Sequence, residues 1–305
     1  MSVSLVATLL LAGAQQVVIP FGKPPPVERI VAPIETAGPL FDGTCEDNDD
    51  WDKPAPPVRI HANTFLVGTC GISSILITGS DGHILIDSGT EKGAELVAAN
   101  VRRLGFRLTD VKYLLHSHEH IDPVGGMARL QQLTGAKLVA SANAAAVFRT
   151  GTPGPGDPQV GMHPPFPAAR VDRIIKHGET VRTRDLEVTA VETRGHTHGA
   201  LSWTWVSCDG GVCRNMVYAD SLSPVSRDDY RFLDHPAGLA AFRTGIARVA
   251  ALDCEILLTP HPSASNMIAR MAGRAPLTDA NACRDYAASL TRRLDDRLAK
   301  ERAKK

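Results

Sequence analysis

Apolar positions along the chain fall into short runs separated by Gly and Asn turns. From Val58 the runs are β-rich, covering Val58–Ile60, Thr64–Val67, Ser73–Thr78 and His83–Asp87, and they predict a meander of antiparallel strands. Leu96, Val97, Val101 and Leu104 share one helical face and predict a helix over Glu91–Leu104, followed by a buried-type strand at Val111–Leu115. A helix is expected after Gly126, a strand at Lys137–Ala140 and a helix at Asn143–Arg149. The second half repeats the theme with strands at Asp172–Lys176, Leu186–Thr193, Leu201–Val206 and Arg214–Ala219, a helix at Leu239–Ala250 and a strand at Glu255–Thr259. Tyr286, Leu290, Leu294 and Leu298 recur at i+4 spacing, so the chain closes with an amphipathic helix whose end is basic. Two β-then-α halves of similar size imply an α/β sandwich, its sheets face to face and its helices outside.

The N-terminal part breaks this pattern. Residues 15–57 are rich in Pro and polar residues, with Pro24-Pro25-Pro26 and Pro54-Ala55-Pro56-Pro57, and read as an extended arm ahead of a domain over 58–305. Before it, an apolar run from Leu5 to Leu11 is broken only by Thr8 and followed by Ala12-Gly13-Ala14, a small-residue cleavage pattern. Residues 1–14 therefore read as a signal peptide that sends the protein to the periplasm or the exterior, although no Lys or Arg precedes the run. The run is far short of the roughly 20 residues that span a bilayer.

Composition narrows the function. Thirty-three Lys+Arg balance 33 Asp+Glu, which argues against a nucleic acid or an anionic membrane as partner, since both attract a basic excess. With 305 residues and 43% hydrophobic, the chain can bury a core without metal or disulfide staples. Export makes the six cysteines candidates for disulfides. Cys208 and Cys213 flank the turn Asp209-Gly210-Gly211, Cys254 and Cys283 bracket a strand and loop, and Cys45 and Cys70 remain; this is the most local of fifteen connectivities.

Histidine placement carries the chemistry. His116, His118 and His120 lie with Glu119 and Asp122 directly after the strand Val111–Leu115. Gly195-His196-Thr197-His198-Gly199 follows the strand Leu186–Thr193, and Thr259-Pro260-His261-Pro262 follows Glu255–Thr259. Each segment ends a strand, so all can converge on one edge of a sandwich, and imidazole with carboxylate is the donor set of a zinc site that keeps a position open. A fourth segment, Ser221-Leu222-Ser223, offers hydroxyls at the same edge. His61, His83, His163, His177 and His235 show no such context and read as surface or structural residues.

At these residues the chain resembles the metallo-β-lactamase superfamily, whose signature is H-x-H-x-D-H followed by a Gly pair. His118-x-His120-x-Asp122 with Gly125-Gly126 sets the register, and Ile84-Leu85-Ile86-Asp87-Ser88-Gly89 is similar to the strand and turn upstream. Tyr218-Ala219-Asp220-Ser221-Leu222-Ser223, Thr259-Pro260-His261-Pro262-Ser263-Ala264-Ser265-Asn266 and the Cys254/Cys283 spacing resemble the secreted zinc β-lactamases of the third subclass, B3. The resemblance spans roughly Pro54 to Cys283 and implies the αββα sandwich, two mixed β-sheets with zinc at their shared edge. It implies His118, His120 and His196 as ligands of a first zinc and Asp122 and His261 as ligands of a second, with Ser221 and Ser223 binding the substrate carboxylate or an ordered water near it.

The signature is broken at one ligand. Pro123 stands where the family has the second site's His, so that site keeps Asp122 and His261; His198, where the family has Pro, and His116 are candidate replacements. One zinc is expected and a second is left open, weak or absent without a replacement. The resemblance implies a zinc-dependent hydrolase that opens the β-lactam ring of antibiotics by attack of a zinc-bound hydroxide, Asp122 orienting the nucleophile or relaying its proton. No serine nucleophile is called for, since Ser117 and Ser221 lack S-x-x-K spacing to Lys. The expected partner is a small-molecule β-lactam, with neither nucleic acid nor membrane, and the expected state a monomer. The competing readings are an exported esterase or lactonase on the same scaffold and a zinc-binding protein with little catalysis. Residues 151–167, Gly- and Pro-rich, suit a loop beside the active site.

Overall fold

A computed structural model describes residues 37–46 and 49–303. The leader 1–14 and most of the arm lie outside the described residues. In chain order the elements are α1 (Ala37–Cys45), β1 (Val58–His61), β2 (Thr64–Leu66), β3 (Ile75–Ile77), β4 (His83–Ile86), α2 (Gly93–Arg103), β5 (Val111–Leu115), α3 (Ile121–Val124), α4 (Met127–Thr134), β6 (Lys137–Ala140) and α5 (Ala142–Thr150). They continue with β7 (Val171–Ile174), β8 (Thr180–Arg182), β9 (Glu187–Glu192), β10 (Leu201–Asp209), β11 (Val212–Tyr218), α6 (Pro236–Ala250), β12 (Ile256–Leu258), α7 (Met267–Met271) and α8 (Ala282–Ala303).

The strands form two mixed sheets, one of seven strands in the order β1-β2-β3-β4-β5-β6-β7 and one of five in the order β12-β11-β10-β9-β8. Strands β1 to β4 are the antiparallel meander expected from their turns, and β4 to β7 run parallel. Period-two alternation places successive residues on opposite faces. Ile75, Ile77, Ile84 and Ile86 meet Trp203, Met216, Tyr218, Ile256 and Leu258 between the sheets. Leu76 and Leu85 face outward under α2, α4 and α5, and Val217 and Leu257 face outward under α6 and α8. Both faces of the central strands are therefore covered, which is the αββα sandwich.

The topology explains why function collects at one edge. Parallel β4, β5 and β6 end on the same side of their sheet; β9, β11 and β12 also share one direction, because β10 is antiparallel to both β9 and β11 and β12 is parallel to β11. Side chains tie the two edges together: Trp203 Nε1 donates to His116 O at 2.8 Å, Leu201 N donates to Ser117 O at 2.7 Å, and Tyr218 Oη donates to Asp87 at 2.7 Å.

Residues 37–45 depart from the extended arm. They form α1, with Phe41 fully buried beside Met267, Ile268 and Met271, Asp42 paired with Arg274, and Cys45 bonded to Cys70. The other disulfides are Cys208–Cys213, directly opposed in the β10–β11 hairpin, and Cys254–Cys283, which holds the start of α8 beside β12.

Candidate metal centre

The site begins where β5 stops. His118 and His120 lie on the turn after Leu115, and Asp122 sits in the first turn of the short α3, followed by Pro123. Proline is tolerated there because first-turn N–H groups have no partner inside a helix. His196 lies on the turn after β9, next to Gly195, whose φ of 149° and close approach to the Phe242 ring leave no room for a side chain. His261 follows β12.

His118, His120 and His196 are buried, and one ligand atom from each lies within 4.8 Å of the others. Each ring is fixed through its second nitrogen. His118 Nδ1 is 2.9 Å from Asp220 Oδ1, His120 Nε2 is 3.0 Å from Asp157 Oδ1, and His196 Nδ1 is 2.9 Å from Ser223 O. Locking one nitrogen against an oxygen sets the tautomer and aims the other nitrogen's lone pair, as in metal-ligating histidines. His118 Nε2 is left buried without a hydrogen-bond partner. Burial, and then the neighbouring His118 and His120, push the His196 imidazole down to about 3, so it is neutral and a competent ligand at ordinary pH. His118 goes the other way: burial disfavours its charge, but the carboxylates of Asp122 and Asp220 raise it well above the usual range. A cation in this cluster would satisfy the orphan nitrogen and balance those carboxylates, so the residues present fit a zinc ion.

Asp122 faces the triad from one side. Its Oδ2 is 3.1 Å from His261 Nε2 and its Oδ1 3.7 Å from His118 Nε2. Burial would raise its pKa, yet the two imidazoles hold its carboxyl well below the usual carboxylate range. Asp122 and His261 thus come together as a pair, with Pro123 adding no donor, while among the described residues the three histidines are the one group of three or more such side chains that converges. Ser221 Oγ is buried without a partner, and Ser223 Oγ lies 3.3 Å from His196 Nδ1.

Two candidate ligands are placed elsewhere. His116 is buried edge-on against Phe148, accepts from Ser141 N through Nε2 at 3.3 Å, and is pushed down to about 3 by burial and then by His118. His198 is exposed and donates through Nε2 to Gly156 O at 3.0 Å. Neither joins the triad or the Asp122–His261 pair, because each ring is committed to packing or to a loop.

Other residues take up roles at the site that only the structure shows. Asp157 belongs to the loop after α5, and nothing in its local pattern singled it out. Glu119 accepts from Thr197 Oγ1 at 2.6 Å and Gly199 N at 2.7 Å, binding the His118–His120 turn to the His196 turn. Asp87, at φ 63°, accepts from Ser117 N, Ser117 Oγ and Tyr218 Oη, each at 2.7 Å; burial pushes it up to about 7 against those hydrogen bonds. Trp51 packs between His163 and His261, ring centroids 5.5 and 6.3 Å away.

The family model described as the metallo-beta-lactamase superfamily matches residues 67–210. The solved structure of the MIM-2 metallo-β-lactamase is 55% identical, superposes with a TM-score of 0.84, and the match covers 87% of this chain and 98% of that one. The chain belongs to the metallo-β-lactamase superfamily. Within it, MEM-A1, a subclass B3 metallo-β-lactamase from a soil metagenome library, is 43% identical with a TM-score of 0.81 over 84% of this chain and 100% of that one. A hydroxyacylglutathione hydrolase of Bradyrhizobium sp. (strain ORS 278) is 30% identical over 131 residues, 41% of this chain; the chain thus spans only 42% of that curated relative. The protein is a zinc-binding hydrolase of the superfamily, with B3-like structural relatives and one complete histidine triad.

Proposed function

We propose that this protein hydrolyses the β-lactam ring of antibiotics. The observation that carries the reading is the likeness to MIM-2, 55% identical over 87% of this chain and 98% of that one, combined with a triad and Asp122 at the same sheet edge, its carboxyl held below the usual range by two imidazoles. The net reaction adds water across the lactam C–N bond: oxygen bonds to the carbonyl carbon, that bond breaks, and a proton reaches the nitrogen. His118, His120 and His196 would hold zinc, which when bound would supply Lewis acidity and lower the pKa of water. Asp122, kept ionised, accepts the proton of the attacking water at its carboxylate and returns it to the departing nitrogen. His261 holds Asp122 Oδ2 in place, and the Ser221 and Ser223 hydroxyls receive the substrate carboxylate.

Export through Met1–Ala14 belongs to the same proposal, and the three disulfides suit an oxidising compartment. The hydroxyacylglutathione hydrolase likeness favours a second reading, hydrolysis of a thioester or other ester, over less of the chain. Purified protein assayed on a chromogenic cephalosporin, a lactone and a thioester, with and without chelator, separates them. The β-lactam reading expects the cephalosporin to be the best substrate and its turnover to vanish on chelation. Preference for the thioester or lactone, or turnover that survives complete zinc removal, would refute it.

A further inference from the structure

Two of the three triad histidines take their fixing oxygen from the turn directly after β11, through Asp220 and the Ser223 carbonyl. His120 depends instead on a separate segment, the Gly- and Pro-rich connection between α5 and β7. There Asp157 N donates to Gly154 O at 2.9 Å, Gln159 N donates to Asp157 Oδ1 at 2.7 Å and Val160 N donates to Asp157 O at 3.2 Å. These bonds fix the Asp157 carboxylate from within its own turn. The side chain is buried, with Oδ1 and Oδ2 at 3.0 and 3.2 Å from His120 Nε2.

The residues on either side are held as well. His198 Nε2 donates to Gly156 O at 3.0 Å, and Arg227 N donates to Pro158 O at 3.0 Å. A Cβ at Gly156 would stand 3.1 Å from His198 Nε2, so glycine lets the imidazole reach the carbonyl. Gly156, Asp157 and Pro158 are thus each engaged by a different segment: the His196 turn, the metal-ligand turn and the stretch after β11.

The geometry points to residues 154–160 as a strap that sets the tautomer and orientation of His120 for the metal, with Asp157 as its contact and His198 as its clamp. Asp157 accepts a hydrogen bond from Nε2–H, which leaves the Nδ1 lone pair of His120 free to bind zinc before any ion arrives. His198 keeps the carboxylate in register by pinning the preceding carbonyl, and so acts on the centre without ligating it. Both are positioning residues. The inference rests on the triad holding zinc, and is independent of which bond the enzyme hydrolyses.

The test is zinc affinity of the full chain by competition with a chromophoric chelator, together with the downfield imidazole N–H proton spectrum of the zinc-loaded protein. Asp157→Ala is expected to weaken zinc by about 10 to 100-fold, the usual effect of removing an outer partner of a metal-bound histidine, and to abolish one imidazole N–H signal. Asp157→Asn, which keeps an acceptor oxygen, should retain the signal and lose less affinity. His198→Ala should weaken zinc by about threefold or more, and His198→Gln, whose amide can donate to Gly156 O, should restore it. An Asp157→Ala protein with parental affinity and an unchanged spectrum overturns the inference. So does a His198→Ala loss that Gln fails to rescue, since that would be a general structural effect. Should Asp157→Ala not fold, Asp157→Asn decides: loss of the signal in that variant counts against the strap. None of these readouts involves a substrate, so failure of the β-lactam reading would leave them untouched.

Discussion

Asp122 and His261 face each other at 3.1 Å with no third donor beside them, whereas the triad has three imidazoles, each braced from behind. Affinity follows donor number and preorganisation, which favours the triad over the pair as a place for zinc. His198 bonds to a loop carbonyl and His116 packs on Phe148, so neither enlarges the pair. His198→Ala is therefore expected to leave the number of bound zinc ions unchanged, whereas Pro123→His should raise it toward about two by giving the pair a third donor. Metal analysis after dialysis against zinc held well above the triad's dissociation constant checks both. The triad, Asp122 and His261 were legible in the sequence because each is a metal-binding type placed just after a buried strand. The brace on His120 was legible only as far as its loop: residues 151–167 are expected beside the site from their Gly and Pro content, but no local pattern encodes that Asp157 within them reaches His120 across 37 positions.

The long periodic elements were equally legible, since Val111–Leu115 and Lys137–Ala140 are observed with their expected bounds and α8 runs through the i+4 stripe. Short elements escaped. Thr180–Arg182 has three residues and one buried side chain, and α1 follows a Pro-rich stretch with a single large buried residue, Phe41; pairing and packing with distant segments make both. The far end of α8 also works at a distance. Glu301 accepts from Phe232 N and Leu233 N, both at 3.1 Å, and from Arg297 Nε at 2.9 Å, joining the helix to the segment before α6. Burial alone would raise its pKa, but Arg297 and the two amides hold it below the usual range. A carboxyl with a depressed folded pKa contributes stability that is present above its unfolded pKa and is lost as pH falls through the folded value. Glu301→Gln should therefore cost about 1–2 kcal/mol at pH 7, from charge-assisted hydrogen bonds weakened, and close to nothing near pH 3. Urea unfolding of both proteins at the two pH values measures the difference.

At the scale of the whole molecule, the strand directions that gather the ligands also determine what the metal joins. Cys45–Cys70 links α1 to the β2–β3 connection, while Cys208–Cys213 and Cys254–Cys283 both lie within the five-stranded half. None of these bonds crosses from one sheet to the other. The triad does cross, with His118 and His120 from the seven-stranded half and His196 from the five-stranded one. Zinc that binds only the folded state raises stability by about 2.7 kcal/mol at a hundredfold excess over its dissociation constant. Thermal melting should accordingly shift upward with added zinc and downward with chelator, with the disulfides intact throughout; a melting temperature indifferent to zinc would contradict a triad that spans the halves. The ion in such a place is a keystone as well as a reagent: with the covalent staples confined within the halves, the metal would add its own clasp to the packing and hydrogen bonds that already join them, so scarcity of metal would lower the stability of the protein as well as its turnover.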